Sequence, residues 1–326
     1  MISHKNILII QTAFIGDAIL ASSLLEKLHS YFPKAGISVL VRKGNESIYH
    51  NHPFLKEVLV WNKQENKIKH LFQLLFKIRK RKYDIVVNCH RYASSGFLTG
   101  FSNARYTCGY KQNPFSFLFN YTVKHYIGDG RHETYRYNQL IEDITNDVVF
   151  KPKLYPSVDD LATIKLYDVP TYVCMAPASV WFTKQLPVSK WVELCNKIES
   201  NTSIYLLGAM SDVVLCENIK SQCTHQNIHV LAGKLSLLQS CGLMGNAKMN
   251  YVNDSGPLHL ASSVNAPVTA FFASTVPAFG FGPLSDASTV VEVNTLSCRP
   301  CGLHGQKSCP LTHFNCGNLI YIDSVI

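Results

Sequence analysis

The sequence predicts an α/β protein of two domains, each built on a parallel sheet. The chain has 326 residues, 47% of them hydrophobic, which is enough for two domains with a core each. Two stretches open in the same order, with a strand-like run, a polar loop and an amphipathic helix, the repeating unit of a parallel sheet. A segment rich in Pro and charged residues, 151–170, separates them. We therefore expect an N-terminal domain over residues 1–160 and a C-terminal domain over 161–326.

The first domain is predicted to open with a strand at Asn6–Gln11 and a loop at Thr12–Asp17. A helix should follow, because apolar residues recur there at spacings of three and four until Pro33 ends the pattern. Further strands are expected at Ile37–Val41, Val58–Val60 and Asp84–Cys89.

The second domain is predicted to begin with the strand Tyr172–Ala176. Its other expected strands are Ser203–Gly208, His229–Ala232, Met249–Val252 and Pro267–Phe272, with helices near Ser189–Ser200 and Ser236–Cys241. Open parallel sheets bind ligands at the carboxyl ends of their strands. Two such sheets in tandem predict a cleft in which two substrates are held face to face.

Several classes of protein are disfavoured by the sequence. The longest apolar runs, such as Val264–Ala273, are about ten residues long, whereas a membrane-spanning helix needs roughly 20. The N-terminal apolar run has no small-residue cleavage site behind it, so a cytoplasmic location is expected. Neither a Gly-x-Gly-x-x-Gly turn nor a Walker Gly-Lys-Ser/Thr is present, which argues against dehydrogenases and P-loop enzymes.

The net charge of +9 lies in the N-terminal half of the chain. Residues 1–150 contain 20 Lys and Arg against 11 Asp and Glu, while residues 151–326 contain 11 of each. This excess is either a solvated basic face or a surface for an anionic partner such as phosphate-bearing lipid. No nucleic-acid-binding module is recognisable, so nucleic acid is not an expected partner.

The most basic stretch, Lys67–Lys82, is predicted to form a helix. In that helix Ile68, Leu71, Phe72, Leu75 and Ile78 would pack against the sheet while the Lys and Arg residues ring the outer side. Those cations would face either solvent or an anionic membrane surface.

The eleven cysteines divide into scattered residues and one C-terminal cluster. Cys89, Cys108, Cys174, Cys195, Cys216, Cys223 and Cys241 occur in apolar or helical contexts, as small buried hydrophobic residues do. The cluster has the spacing Cys298-x2-Cys301-x7-Cys309-x3-His313-x2-Cys316. A structural zinc site, reduced thiols and disulfides all remain open for it.

Four short motifs follow predicted strands and bear side chains suited to chemistry. Asp17 comes after the first strand, with Gly16 allowing a tight turn; its carboxylate either caps the helix or acts as a general base kept ionised by the helix dipole. Asn253 to His259 reads as a helix start with Asp254 or Ser255 as N-cap and Pro257 early in the helix, which is either a purely structural cap or an anion site suited to a diphosphate. Ala176 to Lys184 ends in a lysine that is either a surface residue or a phosphate ligand. Gly208 to Asp212 places a carboxylate where it can accept from ribose hydroxyls.

These motifs, in this order, resemble glycosyltransferase family 9, the ADP-heptose:lipopolysaccharide heptosyltransferases, over about Asn6 to Pro283. The family opens with a strand, a polar loop and Gly-Asp, matched by Ile7 to Asp17. A loop ending in Lys before a Trp-containing helix is matched by Lys184 to Trp191, and a strand ending in Gly with an acidic residue after it by Gly208 to Asp212. The family's Asn-Asp-Ser-Gly-x-x-His stands here as Asn253 to His259.

The resemblance implies a GT-B fold, in which two Rossmann-like domains face each other across a cleft. It implies an inverting, metal-independent transfer of a heptose from ADP-heptose to a lipopolysaccharide core hydroxyl, with no cofactor. Asp17 is then the catalytic base. The implied donor site comprises Ser179, Lys184, Gly208, Asp212, Asp254, Ser255, Gly256 and His259.

The acceptor side is less clearly matched. After the strand near residue 84 the chain offers His90, Arg91, Ser94 and Ser95, and a second polar group contains Arg131, His132, Glu133 and Arg136. Of these we expect Arg91, Ser94 and Arg131 to contact a lipid-linked saccharide acceptor, with the enzyme peripheral on the inner face of the inner membrane. The alternatives are a relative that uses another nucleotide sugar and a nucleotide-binding protein that has lost turnover.

Overall fold

The computed structural model describes residues 5–326 and divides them into two compact units. The first runs to Ile127 and resumes at Arg131–Tyr155, and the second consists of Gly128–Gly130 and Pro156–Ile326. The division after Tyr155 lies within the segment 151–170 that the sequence marked as the link. No helix in residues 5–326 has both the length and the apolar composition needed to cross a bilayer.

The first unit is a six-stranded parallel sheet in the order β3-β2-β1-β4-β5-β6. Its strands are β1 (Asn6–Ile10), β2 (Gly36–Arg42), β3 (Leu55–Trp61), β4 (Ile85–Asn88), β5 (Tyr106–Tyr110) and β6 (Tyr121–Val123). Its helices are α1 (Ile15–Tyr31), α2 (Lys67–Arg81), α3 (Ala93–Gly100) and α4 (Glu133–Gln139). The chain builds outward from β1 through β2 and β3, then returns to the other side of β1 with β4. This reversal is a topological switch point, where open sheets bind ligands.

The second unit repeats the plan, with the parallel order β12-β11-β10-β7-β8-β9. Its strands are β7 (Tyr172–Ala176), β8 (Ser203–Leu206), β9 (Ile228–Val230), β10 (Met249–Asn253), β11 (Val268–Phe272) and β12 (Ser288–Glu292). Its helices are α5 (Val158–Ile164), α6 (Val188–Lys197), α7 (Val213–Gln222), α8 (Leu237–Asn246), α9 (Gly256–Ser263) and α10 (Asn315–Asn318). Here the switch point lies between β7 and β10.

Burial in the two cores explains why the central strands could be predicted from the sequence. Ile7 to Ile10 of β1 and Tyr172 to Ala176 of β7 are buried along their whole length, as expected for strands covered on both faces. Every strand predicted above is present within two or three residues. Strands β5, β6 and β12 were not predicted, because they hold polar residues or lie at sheet edges.

The orientation predicted for helix α2 was partly wrong. Leu75 and Ile78 are buried as expected, but they are joined by Leu74, whereas Ile68 and Phe72 are exposed. The helix packs through a face centred on its second half, so its first turns project from the sheet. Apolar residues are thus left in solvent beside the cations.

Most of the scattered cysteines are buried, as predicted. Cys89, Cys108, Cys174, Cys195, Cys216 and Cys241 are buried free thiols, while Cys223 is partly exposed. They serve as small hydrophobic residues of the two cores.

Candidate functional site

Asp17 lies at the switch point of the first unit. β1 and β4 are neighbours there, with Ile10 opposite Asn88, and the loop after β1 leads directly into α1. Asp17 is the third residue of that helix, within the turn whose backbone N–H groups lack helical partners. Gly16 is the second helical residue and makes no turn, in contrast to the expectation, and the N-cap is Phe14. The positive end of the helix dipole favours the ionised form of a carboxylate at this position.

The loop before Asp17 is fixed from three directions. Gln11 donates from Nε2 to the Tyr137 hydroxyl at 2.7 Å and accepts from the Ala13 N–H at 3.0 Å. Asn45 donates to the Ala13 carbonyl at 3.1 Å, and Lys63 donates to the Thr12 carbonyl at 2.6 Å. A carboxylate that follows such a loop is held in place before any ligand arrives.

The charges of Asp17 and of a buried ionic group on α4 both act on Tyr137. Burial raises the pKa of the Tyr137 hydroxyl well above its usual value, and the carboxylates of Glu133 and Asp17 add to the effect. Glu133 is itself buried and accepts from His125 Nε2 and Arg136 Nη1, each at 3.0 Å. Burial raises its pKa, but the hydrogen bonds and charges of His125 and Arg136 outweigh that effect and leave the pKa below its ordinary value.

Glu133 and Arg136, which the sequence grouped with Arg131 and His132 on the acceptor side, thus form a buried network with His125. His125 follows β6, eight residues before Glu133 at the start of α4. This spacing matches no helix or strand period, so the sequence does not predict the contact. Buried charges of this kind are stable only when they are paired and hydrogen-bonded.

Two of the three acceptor candidates share the edge of the sheet with Asp17. Arg91 follows β4 in a partly exposed loop, and Ser94 is the second residue of α3. Their neighbour His90 is mostly buried, which lowers its pKa to about 4, and the charges of Lys63 and Arg91 contribute. Arg131 precedes α4 instead, and its guanidinium lies over the Tyr135 ring at 4.9 Å.

Lys63 contacts the loop that precedes Asp17, and no sequence motif predicted this contact. Its ammonium reaches the Thr12 backbone and hydroxyl from the segment after β3. Burial lowers its pKa to about 8, and the charges of Arg42 and Lys67 contribute. No motif surrounds it, since the contact depends on β2 and β3 bringing their ends beside β1.

Lys184 and Asp254 meet at the switch point of the second unit. β7 and β10 are neighbours, with Ala176 opposite Val252. Lys184 ends a short 3-10 turn after β7, and Asp254 follows β10 immediately. The Lys184 ammonium lies 2.7 Å from Asp254 Oδ2, which also accepts from the Thr275 hydroxyl at 2.5 Å. Both side chains are largely buried, so the ion pair fixes where the lysine can point.

Asn253 ties the same two loops together beneath that pair. Its side chain accepts from the Leu186 N–H at 2.9 Å and donates to the Pro177 carbonyl at 2.7 Å. Ser255 is the N-cap of α9, and Gly256 is its first residue. His259 is buried in the first turns of this helix, edge-on to Phe281. The eight-residue helix therefore starts beside the lysine, and its uncovered N–H groups make this end suited to an anion.

The remaining donor candidates lie at the same edge, because β8 is next to β7. The Ser179 carbonyl accepts from Gln185 Nε2 at 2.7 Å. Gly208 is closely approached, since a Cβ there would lie 2.9 Å from the Asp212 Cβ. Asp212 accepts from the Ala209 N–H at 2.8 Å and from the Ser211 hydroxyl at 3.1 Å. The Asp212 carboxylate thus accepts hydrogen bonds from residues of its own turn and stabilises that turn.

The Cys-rich tail packs directly on the turn that carries Lys184. Thr183 donates its N–H to the Gln306 carbonyl at 3.1 Å and accepts from the Gln306 N–H at 2.8 Å through its hydroxyl. A Cβ on Gly305 would lie 2.9 Å from Lys184 Cγ. The tail thus packs against the turn that holds Lys184, a contact that the spacing of its cysteines did not predict.

The tail cysteines surround a cavity of about 160 Å³. Cys298, Cys301, Cys309 and Cys316 line it with His313, and all four thiols are free. Burial raises the pKa of Cys316 to about 11, and the other thiols contribute. Within residues 5–326 no group of three or more His, Cys, Asp and Glu side chains is arranged to hold a metal ion.

Comparison with known proteins identifies the family. The model of glycosyltransferase family 9 (heptosyltransferase) matches residues 71–312, well over half of the chain. The lipooligosaccharide heptosyltransferase 2 of Haemophilus influenzae is 23% identical over 321 residues, which cover 88% of each protein.

Two solved structures share the fold. A family 9 glycosyltransferase from Veillonella parvula has a TM-score of 0.79 at 20% identity, covering 88% of this chain and 85% of its own. The ADP-heptose lps heptosyltransferase II of E. coli has a TM-score of 0.77 at 20% identity, covering 91% and 95%.

The family match, together with a fold of two parallel sheets, thus identifies a sugar-transferring enzyme of the α/β class. The chain belongs to glycosyltransferase family 9. This confirms the resemblance seen in the sequence and the predicted GT-B-like fold.

Proposed function

We propose that the enzyme transfers a heptose from ADP-heptose to a hydroxyl group of a lipopolysaccharide core acceptor, with inversion and without a catalytic metal. The observation that carries the proposal is Lys184, held by the buried Asp254 beside the N-terminus of α9. A fixed cation next to uncovered N–H groups suits the diphosphate of a nucleotide sugar. The names of the relatives, which specify ADP-heptose and lipooligosaccharide, support the choice of donor and acceptor.

The departing ADP gains negative charge as the glycosidic bond breaks. In this proposal Lys184 and the α9 N-terminus stabilise that charge, as preorganised cations and backbone N–H groups do where negative charge develops in a transition state. Asp254 acts through Lys184, and Ser179, Ser255, Gly256 and His259 line the same edge of the sheet. Gly208 and Asp212 shape the neighbouring turn, from which the ribose is bound.

Asp17 is the proposed general base. Inversion requires one carboxylate to take the proton from the attacking hydroxyl while an oxocarbenium-like centre forms. The start of α1 keeps that carboxylate ionised, and Arg91 and Ser94 lie at the same edge to contact the acceptor. Arg131 is a more peripheral acceptor contact. Because the acceptor is lipid-linked, we place the enzyme peripherally at the inner face of the inner membrane.

The test is a panel of nucleotide sugars with and without a lipid A-type core acceptor, in the presence of EDTA. We expect ADP release from ADP-heptose that depends on the acceptor, and a product of inverted anomeric configuration. Preference for another nucleotide sugar would favour a relative of different specificity. ADP binding without any turnover would favour a non-catalytic descendant.

The variant Asp17→Asn separates chemistry from binding in the same assay. Its turnover should fall by at least about 100-fold, because the acceptor proton has no base, while the Kd for ADP changes by no more than a few-fold. Near-normal turnover would remove Asp17 from the mechanism.

A further inference from the structure

The first unit exposes a continuous apolar surface formed by α2, α3 and the 3-10 turn Ser116–Leu118. We call it the aromatic face. Its exposed members are Ile68, Phe72, Phe76, Phe101, Phe117 and Leu118. Phe97 and Phe115 connect them, with ring centroids 5.5 Å apart for Phe72 and Phe97, 6.1 Å for Phe97 and Phe115, and 6.4 Å for Phe115 and Phe117. Adjoining exposed apolar side chains of this kind mark an interaction site, unlike single ones.

The aromatic face lies in the most basic part of the chain. Residues 66–127 contain eleven Lys and Arg and a single acid, Asp84, a net charge of +10. The whole chain has a net charge of +9, so the remaining residues sum to −1. The net positive charge of the protein is thus contained in the segment that forms this surface.

Part of that charge is free to meet a partner and part is not. Lys77 and Arg81 are paired with Glu57 of β3. Lys69, Arg79 and Lys80 are exposed, and at about 100° per residue they lie on the same half of α2 as Phe72 and Phe76. Cations and aromatic rings therefore project side by side.

We propose that the aromatic face is a membrane-docking surface that inserts its apolar side chains at the headgroup–acyl boundary of an anionic bilayer. Lys69, Arg79 and Lys80 would meet lipid phosphates while the rings enter the apolar layer, as interfacial helices with a basic polar face do. A second copy of this chain fits poorly, because a two-fold contact would set like charges against each other. A nucleic acid would satisfy the charge but offers no apolar layer for Ile68 and Leu118.

The inference deepens the peripheral location proposed above, but it is independent of the transfer reaction, since none of these side chains is assigned to donor or acceptor. Failure of docking would leave transfer to a soluble acceptor fragment intact, and failure of transfer would leave docking intact.

The test is co-sedimentation of the full chain with vesicles of equal parts phosphatidylcholine and phosphatidylglycerol, compared with phosphatidylcholine alone. The apolar variant is Ile68→Ser, Phe76→Ser and Phe117→Ser, three side chains between 71% and 78% exposed. Its matched control is Val158→Ser, Leu166→Ser and Val214→Ser in the second unit, which are 80% to 82% exposed. We expect the apolar variant to lose at least tenfold in partitioning and the control to bind as the parent does.

The charge variant is Lys69→Gln, Arg79→Gln and Lys80→Gln, with Lys165→Gln, Lys220→Gln and Lys248→Gln as its control. Partitioning at low salt should fall by roughly 100-fold in the variant, since each basic residue near such a surface is worth about fivefold. Moderate salt should weaken the parent in the same direction, because the attraction is screened within about 10 Å.

Insertion is measured by Phe117→Trp. Its emission should shift to the blue with anionic vesicles and be quenched by brominated acyl chains, whereas Leu166→Trp should show neither change. Equal partitioning of the apolar variant and its control would overturn the proposal. So would concentration-dependent dimers that the apolar variant abolishes, or binding to RNA that competes with and exceeds binding to vesicles.

Discussion

At the scale of the residue, the buried carboxylate of Asp254 determines what Lys184 can do. The sequence predicted that both residues bind the diphosphate, because each stands in a motif beside a predicted strand. In the structure the carboxylate points to the ammonium and to Thr275. A carboxylate in contact with a diphosphate would repel it, so Asp254 is better understood as a positioning residue for the lysine.

This arrangement predicts how substitutions of Lys184 and Asp254 combine in their effects on ADP binding. Lys184→Ala should weaken ADP binding by roughly 1–3 kcal/mol, since a charge-assisted contact is lost. Asp254→Asn should weaken it less, because the lysine remains but is held less firmly. The double variant should bind ADP better than Lys184→Ala alone, because it no longer leaves a buried, unpaired carboxylate near the phosphates.

Calorimetric titration with ADP measures all three variants. Lys190→Ala is the control, since Lys190 is also paired with an acid, Glu193, but on α6. If the double variant binds more weakly than either single one, Asp254 contacts the nucleotide directly and the positioning role is wrong.

At the scale of the element, the strands that could be predicted are those whose residues are almost all apolar, because such runs indicate burial on both faces. β1 and β7 are apolar runs, and both were predicted to within a residue. The start of α9 was predicted from Asp254, Ser255 and Pro257 at a strand end, whereas α1 begins at Ile15, inside the predicted loop Thr12–Asp17. Helix α2 was predicted as a helix, but its buried face was predicted only in part. Apolar residues occupy much of the circumference of the helix, and only its position against the sheet decides which of them are buried. Lys63 was missed because its partner Thr12 lies 51 residues away in the sequence. The burial of Glu133 was missed because the folded chain, not local spacing, encloses it.

The Cys-rich tail is the clearest case of an element whose role depends on tertiary contact. Gly305 has φ +76°, and a Cβ there would meet Lys184 Cγ at 2.9 Å and Trp181 Cβ at 3.1 Å. Gly305→Ala should therefore displace the lysine stem and raise the Kd for ADP several-fold, in addition to destabilising the fold by about 1 kcal/mol through the positive φ.

Gly302→Ala is its matched control, because Gly302 has φ +128° with no heavy atom within 4 Å of a Cβ. It carries the backbone strain without the contact to Lys184. Chemical denaturation reports stability for both variants and titration reports ADP affinity. Equal loss of affinity in the two would show that the tail does not position Lys184.

At the scale of the whole molecule, the two units differ in net charge and in the roles proposed for their residues. The first carries the excess positive charge, Asp17, Arg91 and Ser94, and the second carries Lys184, Asp254 and the start of α9. The distribution of charge follows from counting residues in the sequence. The proposed roles of the residues depend also on the two switch points, where strands distant in sequence become neighbours and their loops meet.

This division predicts where ADP alone protects the backbone. A nucleotide at about 100 times its Kd stabilises the state that binds it by roughly 2.7 kcal/mol. If the donor site is confined to the second unit, hydrogen exchange should slow in the segments after β7, β8 and β10, and the amides at residues 11–17 should exchange as before. Asp17→Asn should keep this pattern unchanged, whereas Lys184→Ala should lose it at the same ADP concentration. Slowing at residues 11–17 in the parent with ADP alone, to the same extent as after β10, would contradict the division, because it would require the nucleotide to be bound through the loop that we assign to the acceptor.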